Sequence, residues 1–138
     1  MGTPNPGAAA AGGMVARAAM RRGVEKSLHD GEELLAFRGL RRFAAIRRYM
    51  WPCLLVEPPL PELPTKLALA VTGQRLLVFE CGGIANEVKG IVIDIPRGEV
   101  RDVQDGGRQI SWAAQGRRYT INLGGREAEQ IAAAIRSA

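Results

Sequence analysis

The segment from Lys66 to Cys81 constrains this chain more than any other. Lys66 to Thr72 and Leu76 to Cys81 are two short apolar runs, and they flank Thr72-Gly73-Gln74-Arg75, a tight glycine-containing turn. That arrangement predicts a β-hairpin. The chain has two Trp, two Tyr and three Phe, so Val, Ile, Leu and Ala must fill most of the core, which also favours short strands. With 138 residues and 46% apolar content, the composition fits one folded domain with one core.

Further strands follow from the same pattern. Asp30-Gly31 precedes a first strand expected over Glu32 to Arg38. From Gly39 to Val56 two readings compete: Leu40, Phe43, Ile46 and Met50 fit one face of a helix, while Tyr49 to Val56 reads as a strand. A connection followed by a strand is the expected outcome. Pro58, Pro59, Pro61 and Pro64 then impose a stiff loop, because each fixes φ and removes a donor.

After Gly82-Gly83, Lys89 to Ile95 reads as a strand with Ile91, Ile93 and Ile95 on one side and Val92 and Asp94 on the other; Pro96 stops or bends it. Val100 to Gln104 reads as a short strand. Gln109 to Ala113 and Arg118 to Leu123 form a second hairpin across Gln115-Gly116-Arg117. Its alternation puts Ile110, Trp112, Tyr119, Ile121 and Leu123 inward and leaves one wet face. Arg126 to Ser137 reads as a helix with Ala128, Ile131, Ala132 and Ile135 on one face. An N-terminal helix is expected over 14–29, interrupted by Gly23 at a cost of about 1 kcal/mol relative to Ala. Residues 1–13, rich in Gly, Ala and Pro, are expected to be a flexible tail.

The formal charge of +5 is unevenly spread. Met14 to Trp51 carries nine Arg or Lys against four Asp or Glu, whereas the remainder carries ten of each. Such asymmetry suits an acidic partner. Enzymatic chemistry is not expected. His29 is the single histidine, and neither Cys53 nor Cys81 belongs to a C-x-x-C pair; both are expected to be buried free thiols. No phosphate-cradling glycine motif is present, and Asp94, Glu99, Asp102 and Asp105 read as wet-face and turn acids. No metal, cofactor or small-molecule substrate is therefore expected. With no leader pattern and no apolar run long enough to span a bilayer, the expected location is cytoplasmic, with peripheral membrane attachment as the alternative.

Taken in order, several of these pieces resemble bacterial pleckstrin-homology-like domains. They are Gly31-Glu32-Glu33-Leu34-Leu35, Leu67-Ala68-Leu69-Ala70-Val71-Thr72-Gly73-Gln74-Arg75-Leu76-Leu77-Val78, Ile95-Pro96-Arg97-Gly98-Glu99-Val100 and the closing helix. The resemblance covers 30–138 and implies a mainly β fold: a bent barrel of about seven antiparallel strands capped by one C-terminal helix. It also implies a non-enzymatic binding or adaptor module. The leading expectation is recognition of a protein partner, or self-association through exposed strand edges or the N-terminal helix. The alternative is peripheral binding to anionic lipid through the basic segment 38–48. Some eukaryotic members bind inositol phosphates through a basic loop between the first two strands, which makes Arg38, Arg41, Arg42, Arg47 and Arg48 the candidate contacts here. Trp51 joins them because Arg beside Trp suits an anionic interface. Nucleic acid ranks behind both partners, since the strand aromatics are few and not paired with the arginines.

Overall fold

The computed structural model describes residues 18–42, 52–83, 87–123 and 125–137. Eight strands form one sheet: β1 (Leu34–Arg42), β2 (Cys53–Glu57), β3 (Lys66–Thr72), β4 (Arg75–Gly82), β5 (Glu87–Pro96), β6 (Arg101–Asp105), β7 (Gln109–Ala114) and β8 (Arg117–Asn122). Their order is β5-β4-β3-β1-β2-β8-β7-β6, with β5 and β6 left as open edges. Helix α1 is described over residues 18–26, and α2 spans Gly125–Arg136. The mainly β expectation is met, but the strand count and pairing are corrected. Among the described residues there are eight strands rather than about seven, the sheet is not closed, and β1 and β2 run parallel, with Arg41 opposite Cys53 and Arg42 opposite Leu54.

The hairpin legible in the sequence is β3–β4, with Leu67 opposite Glu80 and Val71 opposite Leu76 around Gly73-Gln74. Both of its faces are dry. Leu67, Leu69, Val71, Leu76 and Val78 join the main core with Trp112, Ile121 and the apolar face of α2. Ala68, Ala70, Leu77, Phe79 and Cys81 face the other way and pack with Met20 and Val24 of α1. A continuous apolar run, rather than an alternating one, is what two-sided burial requires. In β7 and β8 the alternation expected from sequence is present: Ile110, Trp112, Ala114, Tyr119 and Ile121 are buried between residues that are exposed or half-buried. The Trp112 and Tyr119 rings stack with centroids 5.5 Å apart.

The first strand begins two residues later and ends four residues later than expected. Glu32 is drawn out of the ladder because its carboxylate serves a buried polar cluster. Arg75 Nε lies 2.9 Å from Glu32 Oε2 and Arg75 Nη2 3.0 Å from Oε1, a two-pronged contact. The Thr72 hydroxyl donates to Glu32 Oε2 at 2.6 Å, and the His29 backbone N–H to Oε1 at 2.9 Å. Arg75 Nη1 reaches Asp94 Oδ2 at 3.0 Å, and Nη2 the Ser27 carbonyl at 3.4 Å. The cluster ties the end of α1, the entry to β1, the hairpin tip and β5 together. At the other end of the strand, Gly39 continues the ladder opposite Ala68, and a Cβ there would meet the Met20 side chain at 3.8 Å.

Helix α2 is held at both ends by arginines. The Arg97 guanidinium donates to the Ala134 carbonyl at 2.6 Å and also to that of Ile135, meeting last-turn carbonyls that have no partner within the helix. Burial holds the Arg97 pKa below its ordinary value. Near the helix start, Arg38 Nε lies 2.9 Å from Glu127 Oε2; the N–H is not aimed at the oxygen, so the contact is an ion pair rather than an aligned hydrogen bond.

Gly23, read from sequence as a cost, has a packing reason. A Cβ at this position would sit 3.0 Å from both Cβ and Cγ2 of Val88, so the glycine lets α1 approach β5 closely. Gly23→Ala is expected to forfeit the roughly 1 kcal/mol that alanine normally gains in a helix, giving a neutral or lowered stability. In a Val88→Gly background, which removes both contacting atoms, the same substitution should become stabilising. Urea unfolding of the four proteins checks this; a full gain in the wild-type background rejects it.

Arg75 lowers the Glu32 pKa most, with help from Thr72 and the His29 N–H and against the opposing effect of burial, taking it from 4.5 to about 2. A depressed folded-state pKa means that the stabilisation is complete above the unfolded value and is lost as pH falls through the folded one. A shift of this size corresponds to about 3 kcal/mol at neutral pH. Glu32→Gln should therefore cost about 3 kcal/mol at pH 7, with the gap from wild type closing between pH 4.5 and about 2. Urea titrations across that range measure it, and a gap that does not depend on pH contradicts the linkage.

Candidate binding edge

The β5 sequence Glu87-Val88-Lys89-Gly90-Ile91-Val92-Ile93-Asp94-Ile95-Pro96 is not a regular strand. Ile93 is paired with Val78 and Ile91 with Phe79, so Val92 is an extra residue; Gly90 is paired with Glu80 and Val88 with Cys81, so Lys89 is another. Each bulge interrupts the period-2 alternation. Ile93 and Ile95 therefore point into the main core, whereas Val88 packs with the α1 cluster. Ile91 does not share the inner face with Ile93 and Ile95, as the uninterrupted alternation predicted. It is 41% exposed and Val92 38% exposed, and with Leu35 they are the exposed large hydrophobic residues among those described.

Beside this edge, α1 and β5 enclose an open groove of about 550 Å³ lined by Ala19, Arg22, Gly23, Lys26 and Ser27 from the helix and Glu87 to Gly90 from the strand. Arg22, Lys26 and Lys89 supply three positive charges against the one negative charge of Glu87. Lys89 lies back along β4: a Cβ on Gly82 would come within 2.8 Å of its Cε. A second depression, about 500 Å³, borders the β7–β8 turn. Two of its three arginines are already engaged: Arg118 pairs with Asp102 at 2.7 Å, and Arg117 Nε donates to the Pro58 carbonyl at 3.1 Å.

The arginines singled out from the sequence do not share one surface. Strand alternation sends Arg38 and Arg42 to the α2 side, in step with Leu40, and Arg41 to the α1 side, opposite Lys66 in the ladder. Arg38 is paired with Glu127, and Arg42 Nε is buried without a hydrogen-bond partner among the described residues. Arg47, Arg48 and Trp51 lie outside the described residues. The expected free thiols Cys53 and Cys81 are both buried, and burial pushes the Cys81 thiol up to about 11. Asp94 and Asp102, read as solvated acids, both hold arginines. His29 is a turn residue with a mostly exposed ring 3.9 Å from a Glu32 oxygen that is already committed to Arg75.

The edge was missed because a bulge is a register property. The sequence did carry a signal: Ile91-Val92-Ile93 is an unbroken apolar triplet, and one-sided burial in a regular strand cannot hide all three. Since Ile91 and Val92 contribute little to the core, Ile91→Lys with Val92→Lys should change stability by under about 0.5 kcal/mol per site, whereas Ile93→Ala should cost about 2–5 kcal/mol. Denaturant midpoints decide between these; a large loss from the lysine pair would make the edge part of the core.

Among the described residues no helix is long and apolar enough to cross a membrane. Compared with known proteins, the chain matches no family model and no curated protein.

Proposed function

We propose that this chain is a non-enzymatic, pleckstrin-homology-like binding module that recognises a protein segment through its open β5 edge. The observation that carries the reading is the pair Ile91 and Val92, exposed at the middle of a ten-residue edge strand in an open sheet. An edge presents a row of backbone donors and acceptors without strand partners, and apolar side chains beside it give an added strand something to cover. The scaffold assignment rests on the order of elements: an open eight-stranded sheet with a terminal helix across the face that carries Trp112 and Ile121.

Attachment to anionic membrane through segment 38–48 is the weaker reading. The β1 register turns Arg41 away from Arg38 and Arg42, so a flat surface meets them on one side or the other and not together.

Selection from a random peptide library displayed on phage, with counter-selection against the Ile91→Lys/Val92→Lys variant, tests the proposal. Peptides that depend on the edge should be enriched, while vesicles rich in phosphatidylserine should not co-sediment the protein. Failure to enrich edge-dependent peptides overturns the reading. So does sedimentation with vesicles that is lost when Arg38, Arg41, Arg42, Arg47 and Arg48 are changed to Ala.

A further inference from the structure

Resting on that reading, we infer that the segment taken up by β5 is an extended, acidic one, with its carboxylates at the Lys89 end of the edge. Three features of the groove coincide. The outer side of β5 has no strand partner among the described residues. Ile91 and Val92 provide apolar contact at mid-strand. Arg22 and Lys26 line the groove from the helix and Lys89 from the strand, its side chain turned along β4 towards Gly82, and none of the three is in an ion pair with a described residue.

The acids nearby do not neutralise this charge evenly. Glu25 is spent on Arg21 one helical turn away, at 3.8 Å, and Asp94 is spent on Arg75 at 3.0 Å, which leaves Glu87 as the groove's own carboxylate. The edge is therefore cationic towards Lys89 and close to neutral towards Asp94. A bound strand is thus selected for charge at one end and for aliphatic contact at its middle. Backbone pairing supplies affinity, and the cations set orientation and reject basic segments.

A second copy of this chain fits the groove poorly. Paired antiparallel about a two-fold axis through Ile91 and Val92, each edge would set its Lys89 end against the other's near-neutral Asp94 end, which supplies no free carboxylate for Arg22, Lys26 and Lys89, on a chain that already carries +5. Nucleic acid offers negative charge but no strand to pair with the edge, so it uses the cations and ignores Ile91 and Val92.

Fluorescence anisotropy on the full chain tests the inference with four labelled probes. These are a peptide of about nine residues alternating glutamate and valine, its lysine–valine counterpart, the acidic peptide N-methylated at alternate residues, and a thymidine oligonucleotide. The acidic peptide should bind at least tenfold more tightly than the lysine peptide and the N-methylated form. Lys26→Glu with Lys89→Glu should weaken the acidic peptide at least tenfold and strengthen the lysine peptide. Both positions are exposed, and unchanged circular dichroism confirms that the fold is kept. The inference is overturned if the acidic peptide fails to bind at millimolar concentration, if N-methylation has no effect, or if the oligonucleotide binds more tightly than the peptide and Ile91→Lys does not affect it. Edge-dependent library peptides without acidic bias would also overturn it, while leaving the binding-module reading intact.

Discussion

Burial of the β3–β4 hairpin on both faces is the constraint on which the other elements depend. An antiparallel sheet ordinarily keeps one side wet, yet Leu77 and Phe79 are as dry on the α1 side as Leu76 and Val78 are on the α2 side. Such a hairpin cannot stand without a cover on each face, which makes α1 part of the domain and not an appendage to it. The contact is made close by small residues. Ala68 and Ala70 leave room for Met20 and Val24, Gly39 lies beneath the Met20 thioether, and Gly23 lets the helix backbone settle against Val88. Close approach raises the number of dispersion contacts per residue, which a chain short of aromatics needs.

Covering the hairpin creates a polar problem at its tip, where Arg75 would be stranded between α1 and the sheet. The solution satisfies almost every donor of the guanidinium: Glu32 takes two, Asp94 one, and the Ser27 carbonyl shares another. A buried ion pair stabilises only when its remaining groups are hydrogen-bonded, and here Thr72 and the His29 N–H complete the carboxylate. Because these partners come from three separate stretches of chain, residues 27–32, the hairpin tip and β5, the cluster fixes where α1 ends relative to the sheet. Arg97 performs a related task at the C-terminus of α2, where its planar fork reaches two carbonyls at once, a geometry that lysine does not offer.

What could be read from the sequence follows from how local each signal is. The β3–β4 hairpin, the alternation in β7 and β8 and the apolar face of α2 are all encoded within a few residues, and all three appear as expected. The segment from Gly39 to Val56 was ambiguous because strand and helix periods both fit it, and only the ladder with β3 shows that Leu40 belongs to a strand. The parallel β1–β2 pairing joins positions twelve residues apart and has no local signature. Arg38, Arg41 and Arg42 looked like one patch because charge was counted along the chain; in a strand, adjacent residues face opposite ways. The edge at Ile91 and Val92 was hidden by two bulges, which exist only in relation to β4.

The two open edges are not equivalent, and the contrast bears on function. β6 is five residues long, four of them polar, and Asp102 takes a positive φ of 52° that breaks its register with β7. Hydrogen bonds from Gln104 and Arg118 hold the Asp102 carboxylate below its ordinary range, and Arg136 of α2 donates to the Val103 carbonyl. Those are the devices by which a sheet refuses another strand. β5 has some of them, with Lys89 and Pro96 near its two ends and a bulge on either side of Gly90-Ile91, but its middle is apolar and exposed. Guards at the ends of an edge prevent a long strand from docking in register, and so oppose open-ended aggregation. A segment that covers Ile91 and Val92 and answers Lys89 with a carboxylate is still admitted, which is the selectivity a recognition edge requires.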